Sequence, residues 1–205
     1  EFRRVLFRSL ILAQNLPALE AGGLFEATPK LNGSNCTFHV TADGYKTMNR
    51  HNEPMSGIEV VTAPIRDLYT GLDFSINGEW LNKGPKAPRW FCIFDILSYG
   101  SDLIGTTYEE RQTLLDQIVG PAQGKFEASA TIDLEYVLQH VHGNIYRIRR
   151  FQSNFYDLYA QVTGLPLVEG LVCKRKQARL EPMLRPGNNK GWQVKIRKPN
   201  NMYLA

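Results

Sequence analysis

The sequence has few of the residues that build disulfide frameworks, zinc sites or membrane spans. It contains three cysteines in 205 residues, Cys36, Cys92 and Cys173, and no two of them have the Cys-x-x-Cys spacing of metal and redox sites. No apolar run approaches the roughly 18 residues that a membrane span needs. These absences argue against a disulfide-stabilised scaffold and a helical membrane protein, and they favour a reducing, cytoplasmic compartment.

What is present is enough for one folded domain. Hydrophobic residues make up 43% of the chain and charged residues 21%, a balance that argues against global disorder. Residues 1–9 resemble the translation of a common sequencing adaptor, so we exclude them from the fold prediction. We expect residues 10–205 to form one domain that is truncated at both ends.

Charge is unevenly distributed along the chain. Between Arg147 and Lys198 there are 12 Lys and Arg residues against 3 Asp and Glu, whereas the whole chain has a net charge of +4. A basic C-terminal third suggests a polyanionic partner. Within it, the clusters 147–150 and 174–176 either follow a nucleic-acid backbone or form an ordinary solvated surface, and the sequence leaves both readings open.

The hydrophobic pattern predicts an α+β fold, because strands and helices are mixed without a regular βαβ rhythm. Alternating residues at 35–41 and 45–48, joined by Asp43-Gly44, predict a β-hairpin. The apolar run 90–97 predicts a strand that is buried on both faces. Further strands are predicted at 25–29, at 72–81 with a break at Asn77-Gly78, at 167–173 and at 192–197.

Three helices are also predicted. Thr107-Tyr108-Glu109-Glu110 has the capping-box pattern of a helix start, and Gly120-Pro121 ends that helix. The segments 134–141 and 154–163 are the other two predicted helices. They complete a fold with no internal repeat and no low-complexity segment.

Several charged side chains interrupt apolar strands, where they cost free energy unless they are paired or bind an ion. They are Glu79, Asp95, Glu169, and the alternating pair Lys195 and Arg197, which share one face of the last strand. Each one alone fits an edge-strand charge that faces water. Together they fit a site in which cations face a polyphosphate and carboxylates hold a divalent metal or sugar hydroxyls. Phe94 or Phe91 would stack on a base there.

The stretch Pro29 to Asn35 holds one lysine, Lys30, between an apolar run and a glycine turn. Such a lysine is either an ordinary cation at a strand end or a nucleophile. A lone Lys-x-x-Gly favours the ordinary cation, whereas the charged strand residues downstream favour the nucleophile. A protonated amine has no lone pair, so a nucleophilic lysine needs cations nearby that favour its neutral form.

Five short motifs follow one another in an order similar to that of the covalent nucleotidyltransferase superfamily of ATP-dependent ligases and capping enzymes. They are Lys-x-x-Gly at Lys30, Gly-Glu at Glu79, Phe-Asp at Phe94, Glu-Gly-x-Val-x-Lys at Glu169 and Lys-x-Arg at Lys195. Within this superfamily the chain most resembles the nick-sealing RNA ligase 2 family, whose His-Gly-Thr-Asn sequence is close to the segment 32–35. DNA ligases usually carry aspartate at the position of Asn32 and arginine at that of Asn35.

The resemblance implies a nucleotidyltransferase domain of twisted antiparallel sheets flanked by helices, with the nucleotide in the cleft between them. It implies that Lys30 becomes adenylylated and that Lys195 and Arg197 are catalytic cations. An alternative register of the last motif aligns Gln193 with its first lysine and also keeps Lys195. The implied nucleotide-binding residues are Asn32, Asn35, Arg50, Glu79, Phe94 and Glu169, of which Glu169 is also the metal-associated residue.

The implied activity is that of a monomeric, cytoplasmic, ATP-dependent RNA ligase of phage-like type, which uses ATP and Mg²⁺ or Mn²⁺ to join RNA ends or nicks in RNA repair. An ATP-dependent DNA ligase acting on DNA is the closest alternative, and Asn32 and Asn35 argue against it. A capping guanylyltransferase is a further alternative. A different class of function also stays open, namely a nucleotide- or nucleic-acid-binding module without sealing activity.

Overall fold

The computed structural model describes residues 12–84, 86–182 and 192–199. The adaptor-like residues 1–9 lie outside these ranges. Two β-sheets and five α-helices make up the described part of the chain, together with a short 3₁₀ turn at Ala13–Asn15. None of the helices in these ranges is long and apolar enough to cross a membrane.

The elements have the following bounds. The helices are α1 Leu16–Ala21, α2 Glu59–Arg66, α3 Tyr108–Val119, α4 Leu134–Val137 and α5 Phe155–Val162. The first six strands are β1 Phe25–Leu31, β2 Ser34–Thr41, β3 Gly44–Asn49, β4 Phe74–Trp80, β5 Phe91–Tyr99 and β6 Ser101–Asp102. The last four are β7 Leu138–His142, β8 Ile145–Ile148, β9 Val168–Arg175 and β10 Gln193–Arg197.

The smaller sheet has three antiparallel strands in the order β1-β9-β10. The larger sheet has the order β3-β2-β4-β5-β8-β7, with the two-residue β6 paired to the end of β5. All its neighbours are antiparallel except β5 and β8, which run parallel. Short turns join β1 to β2 and β2 to β3, so the chain passes directly from the small sheet into the large one.

Two hydrophobic clusters hold the layers together. The first joins both sheets to α1 and α5, with Leu31, Leu171 and Ile196 from the small sheet packed in the same cluster as Cys92 from β5. The second lies where the large sheet packs against α2 and α3, and Phe91 of β5 belongs to it. Because β5 contributes to both clusters, it is buried on both faces, as its apolar sequence predicts.

Several predicted elements are confirmed. The hairpin forms from β2 and β3, with Thr41 opposite Gly44 across its turn. Helix α3 begins with the predicted capping box, in which Thr107 and Glu110 satisfy each other's backbone N–H groups. It ends at Val119, and the next residue, Gly120, has a φ of 85°. The α+β class and the arrangement of sheets flanked by helices are also confirmed, and the parallel β5–β8 pair makes the larger sheet mixed.

Two expectations differ from the structure, and one helix was not predicted. The helix predicted at 134–141 is wrong, because it stops at Val137 and the chain continues as β7, whose pairing with β8 outweighs helical propensity. The predicted break at Asn77-Gly78 is only a shift of register inside a continuous β4. Gly78 is needed there because a Cβ would lie 2.6 Å from the Cys92 carbonyl oxygen. Helix α2 was missed, since Pro64 lies inside it.

A buried ion pair fastens α3 to β5. Arg111 donates to both carboxylate oxygens of Asp95, from Nε at 2.8 Å and from Nη2 at 3.0 Å. The two residues are only 2% and 5% exposed. A buried charge needs its partner, because the loss of one member leaves the other without compensation. Asp95 is therefore committed to holding the helix on the sheet.

We expect Arg111→Met to lower the free energy of unfolding by about 3–5 kcal/mol, since it strands the Asp95 carboxylate in the core. Urea denaturation would measure the loss. The double change Asp95→Leu with Arg111→Met should recover a large part of it, because an apolar pair needs no charge compensation. The exposed Lys46→Ala serves as the control, and a loss no larger than the control's would contradict this account.

Candidate functional site

The site is centred on Lys30, near the end of β1. Its ammonium group pairs with the Glu169 carboxylate of β9, and the two side chains are only 16% and 17% exposed. The register between β1 and β9 shifts after Lys30, where Leu31 pairs with Val168 and Lys30 with Gly170. This irregularity leaves Glu169 opposite the bulge, in reach of the lysine. Two residues that lie 139 positions apart in the sequence are thus brought into one ion pair.

Gly170 makes this arrangement possible. It has a φ of 144°, and a Cβ on it would lie 1.9 Å from the Ile196 carbonyl oxygen. Only glycine can occupy such a position without displacing β10. It pairs with both Lys30 on one side and Arg197 on the other, so the three strands meet closely at the site.

Strand β10 brings two cations to this ion pair. The Arg197 Nε atom lies 4.0 Å from Glu169 Oε2, although the Arg197 side chain is 56% exposed. The backbone N–H of Lys198 donates to the Glu169 carbonyl oxygen at 2.8 Å, which holds the end of β10 in register. Burial first, and then the positive charges of Lys30 and Arg197, lower the pKa of Lys195. Like charges are therefore crowded around Lys30.

The large sheet contributes Glu79 of β4. Its Oε1 atom accepts a hydrogen bond from the backbone N–H of Gly33 at 3.0 Å, in the turn that follows Lys30. Burial raises the pKa of Glu79, while the charge of Lys30 and the Gly33 N–H oppose that rise. Glu79 is thus a second partly buried carboxylate within electrostatic range of the lysine.

The two asparagines of the Lys30 segment have different partners. Asn35, on β2, donates from Nδ2 to Asn77 Oδ1 at 3.2 Å on the neighbouring strand β4. Asn32 lies in the turn before β2, and its Oδ1 atom accepts a hydrogen bond from Lys83 Nζ at 3.1 Å. Both amides are partly exposed and lie beside the segment that carries Glu79.

Phe94, on β5, has the ammonium group of Lys174 over its ring. Lys174 of β9 places Nζ 4.7 Å from the centre of the Phe94 ring and donates to the Phe94 carbonyl oxygen at 3.3 Å. Lys174 is only 4% exposed. Burial lowers its pKa to about 8, and the nearby carboxylates of Asp95 and Glu26 oppose that change. The contact ties the aromatic residue of the large sheet to the small sheet.

Arg50 lies at the edge of this group. It is exposed, and its Nε donates to His51 Nε2 at 3.0 Å. Its charge still contributes to the lowered pKa of Lys195, which places it within electrostatic range of the cations on β10. The structure therefore brings Lys30, Glu169 and Arg197 together, holds Glu79 on the turn that follows Lys30, and leaves Arg50 on the rim.

Other charged residues named from the sequence have structural partners. Asp95 pairs with Arg111, as described above. Arg147 and Arg150, in the first basic cluster, are buried and both pair with Asp116. Lys174, in the second cluster, is the buried lysine at Phe94. Much of the positive charge of these clusters is therefore internal and does not form a continuous basic surface.

Sequence reasoning missed the parts played by Lys83 and Lys174. Lys83 lies in a loop of ordinary composition, and its contact with Asn32 spans 51 positions. Lys174 continues the apolar strand β9, and that continuation was the available signal that it is buried. No group of three or more His, Cys, Asp or Glu side chains within residues 12–84, 86–182 and 192–199 is arranged to hold a metal ion.

Comparison with known families gives one match that covers most of the chain. The family model described as RNA ligase matches residues 23–192. This range contains every predicted site residue except Lys195 and Arg197. No curated protein matches the chain.

Solved ligase structures share the fold. The ligase domain of LigD from M. tuberculosis has 15% identity and a TM-score of 0.56, over 78% of this chain and 50% of its own. A mycobacterial DNA ligase D complexed with ATP and MES has 16% identity and a TM-score of 0.51, over 78% and 50%. A Lig E DNA ligase has 16% identity and a TM-score of 0.53, over 86% and 62%. Such low identities show the fold alone, and the chain spans about half the length of the first two.

We expect Gly170→Ala to destabilise the protein by on the order of 3 kcal/mol or more, because the new Cβ meets backbone and the φ is unfavourable for alanine. Thermal unfolding followed by circular dichroism would measure the loss. Gly164→Ala is the matched control, since a Cβ there lies 3.4 Å from its nearest neighbour and no positive φ is involved. Equal melting temperatures for the two variants would contradict this.

Lys174 should make stability depend on pH in a defined direction. Its pKa is about 8 in the folded protein and 10.5 in the absence of perturbation. Between these values the unfolded chain holds a proton that the folded protein has lost, so the free energy of unfolding rises with pH. Urea titrations should show the wild type gaining stability relative to Lys174→Met as pH increases from about 7.5 to 10. A constant difference would show that Lys174 is not the group responsible.

Proposed function

The chain belongs to the RNA ligase family, and from this we propose that it is an ATP-dependent polynucleotide ligase that acts on RNA. It joins a 5′-phosphate end to a 3′-hydroxyl end through AMP bound covalently to Lys30. The observation that carries the proposal is the pairing of Lys30 with Glu169 beside the cations Lys195 and Arg197. A lysine held among further cations and two carboxylates suits nucleophilic attack on a polyphosphate.

In the first step, Lys30 Nζ attacks the α-phosphorus of ATP. A phosphorus–nitrogen bond forms, the bond from the α-phosphorus to the bridging oxygen breaks, and pyrophosphate leaves. The attack needs the neutral amine, so Lys30 must lose a proton and leave the Glu169 carboxylate with which it pairs in the free protein. Lys195 and Arg197 neutralise the negative charge that grows on the phosphoryl oxygens.

The other residues hold the nucleotide. Glu79 accepts hydrogen bonds from the ribose hydroxyls, and Phe94 stacks on the adenine. Asn35 supplies an amide group to the nucleotide, Asn32 supplies its amide to phosphate groups that approach Lys30, and Arg50 reaches a phosphate from the rim. Each role suits the chemistry of its side chain, and the position of Glu79 on the turn that follows Lys30 supports assigning the carboxylate and the lysine to one ligand.

A divalent metal, Mg²⁺ or Mn²⁺, fits this set of residues as an ion that one protein carboxylate and the substrate phosphates would hold together. Mg²⁺ usually takes one or two carboxylates from the protein and further oxygens from substrate phosphates and water. Glu169 is the carboxylate that would hold it, and the ion would neutralise phosphate charge when bound. Glu169 and Glu79 are the carboxylates near Lys30 that the structure describes, so the protein would share the ion with the nucleotide.

The first test is formation of the covalent adduct. We expect the wild type, incubated with ATP labelled at the α-phosphate and Mg²⁺, to retain label after denaturation. Lys30→Ala should abolish labelling because no amine remains to attack, while Lys46→Ala, an exposed lysine on β3, should label normally. Unfolding curves for each variant would check folding, and a labelled Lys30→Ala protein would rule the assignment out.

The second test separates RNA joining from DNA joining and from mere binding. We expect sealing of a nicked duplex whose 5′-phosphate and 3′-hydroxyl strands are RNA, at least about tenfold faster than sealing of the DNA equivalent, since a difference of 1.4 kcal/mol in activation free energy gives that ratio. Faster DNA sealing would identify a DNA ligase. Adduct formation without any sealing would limit this chain to nucleotidyl transfer.

A further inference from the structure

The turn that follows Lys30 is held against the end of β4. Gly33 has no room for a side chain, because a Cβ would lie 2.4 Å from the Trp80 carbonyl oxygen. Ser34 Oγ donates to Asn82 Oδ1 at 3.1 Å, just beyond the end of β4. The loop that leaves β4 is therefore in a fixed position relative to Lys30, although Asn82 and Lys83 are exposed.

Lys83, the next residue of this loop, is aimed at the turn. Its Nζ donates to Asn32 Oδ1 at 3.1 Å. An amide whose oxygen accepts a hydrogen bond presents its Nδ2–H groups as donors in the opposite direction. Lys83 therefore does two things. It adds a positive charge beside Asn32, two residues after Lys30, and it orients the Asn32 amide as a donor.

The charge of Lys83 also acts on the site. It opposes the raised pKa of the Glu79 carboxylate, which lies within its electrostatic range. Lys195 and Arg197 come from the small sheet, whereas Lys83 comes from the loop between β4 and β5 of the large sheet. An anion beside Lys30 would thus meet cations contributed by both sheets.

We propose that Lys83 and the Asn32 amide form the binding site for the 5′-phosphate of the nucleic-acid strand that receives AMP. This inference rests on the proposed function. The lysyl-AMP intermediate would engage Lys195 and Arg197, so the incoming phosphate needs positive charge and N–H donors from another direction. Lys83 with Asn32 supplies both, next to the nucleophile.

In the transfer step, an oxygen of the 5′-phosphate attacks the phosphorus of the lysyl-AMP. A phosphorus–oxygen bond forms, the phosphorus–nitrogen bond breaks, and its electron pair returns to Lys30 Nζ, which takes up a proton. Lys83 forms no covalent bond in this step. Its positive charge offsets the repulsion between the two phosphate groups as they approach each other. This charge is already in position before the step begins.

Binding of nucleic acid tests the site without any catalysis. The probe is a fluorescent nicked RNA duplex with either a 5′-phosphate or a 5′-hydroxyl at the nick, and the readout is fluorescence anisotropy. We expect the wild type to bind the 5′-phosphate form about tenfold more tightly, which is the affinity gain expected from one charge-assisted hydrogen bond. Lys83→Met should lose this preference. Lys86→Met, an exposed lysine in the same loop, is the matched control and should keep it.

Two results of this experiment would overturn the inference. One is a wild type that binds both duplexes equally, and the other is a Lys83→Met variant that keeps the preference. Asn32→Leu should reproduce the loss, and the double variant should lose no more than either single variant, because the two side chains act as one unit. Additive losses would show that Lys83 and Asn32 act separately and would also contradict the inference.

Kinetics then separate the steps. Lys83→Met should slow the transfer of AMP to the 5′-phosphate about tenfold more than it slows adduct formation, and Lys83→Arg should restore transfer because it keeps the charge. Equal slowing of both steps would overturn the inference, since Lys83 would then serve the nucleotide. A wild type that forms no adduct would instead refute the proposed function, and the anisotropy comparison would still decide whether Lys83 binds the phosphate.

Discussion

The geometry of the site depends on one ion pair, between Lys30 and Glu169. The pair is largely withdrawn from water. Either charge would cost free energy in this buried position if it had no partner. It forms because β1 and β9 shift register at Lys30 and because Gly170 lets β10 approach closely. A lysine two residues earlier on β1 would lie opposite Val172 and would not meet Glu169. Lys30, Glu169 and the cations of β10 are therefore brought together by the same irregularity.

The site also depends on the packing of the two sheets against each other. Hydrophobic residues of both sheets share one cluster, and two polar contacts fix their relative position near Lys30. One is the Gly33 N–H on Glu79, and the other is Lys174 on Phe94. The Asp95–Arg111 pair fastens α3 to the strand that carries Phe94. The Asp95–Arg111 pair and Lys174 thus stabilise the strands that carry the residues gathered near Lys30.

The charged residues that the structure brings near Lys30 are easier to single out from the sequence than the connections around them. Four of these residues can be recognised because each carries a charge within an apolar strand or beside a glycine turn, namely Lys30, Glu79, Glu169 and Lys195. A charge in an apolar strand costs free energy unless it is paired or binds an ion, so it marks a position with a special role. Lys83 is not recognisable in this way, because nothing local distinguishes a loop lysine whose partner lies 51 positions away. The same limit explains the helix predicted at 134–141, where pairing with β8 decided the structure and local pattern did not.

The positive charges around Lys30 repel one another in the free protein, and a bound anion would relieve this repulsion. Burial, and the positive charges of Lys30, Arg197 and Arg50, lower the pKa of Lys195, so its ammonium form is destabilised in the folded state. A phosphate placed among these groups would reverse the effect of the neighbours and raise that pKa again. Nucleotide binding would therefore stabilise the fold, and it would take up protons wherever Lys195 is partly neutral. The repulsion among these cations lowers the stability of the free protein. Such a cost is expected at a site whose balancing negative charge comes from a bound substrate.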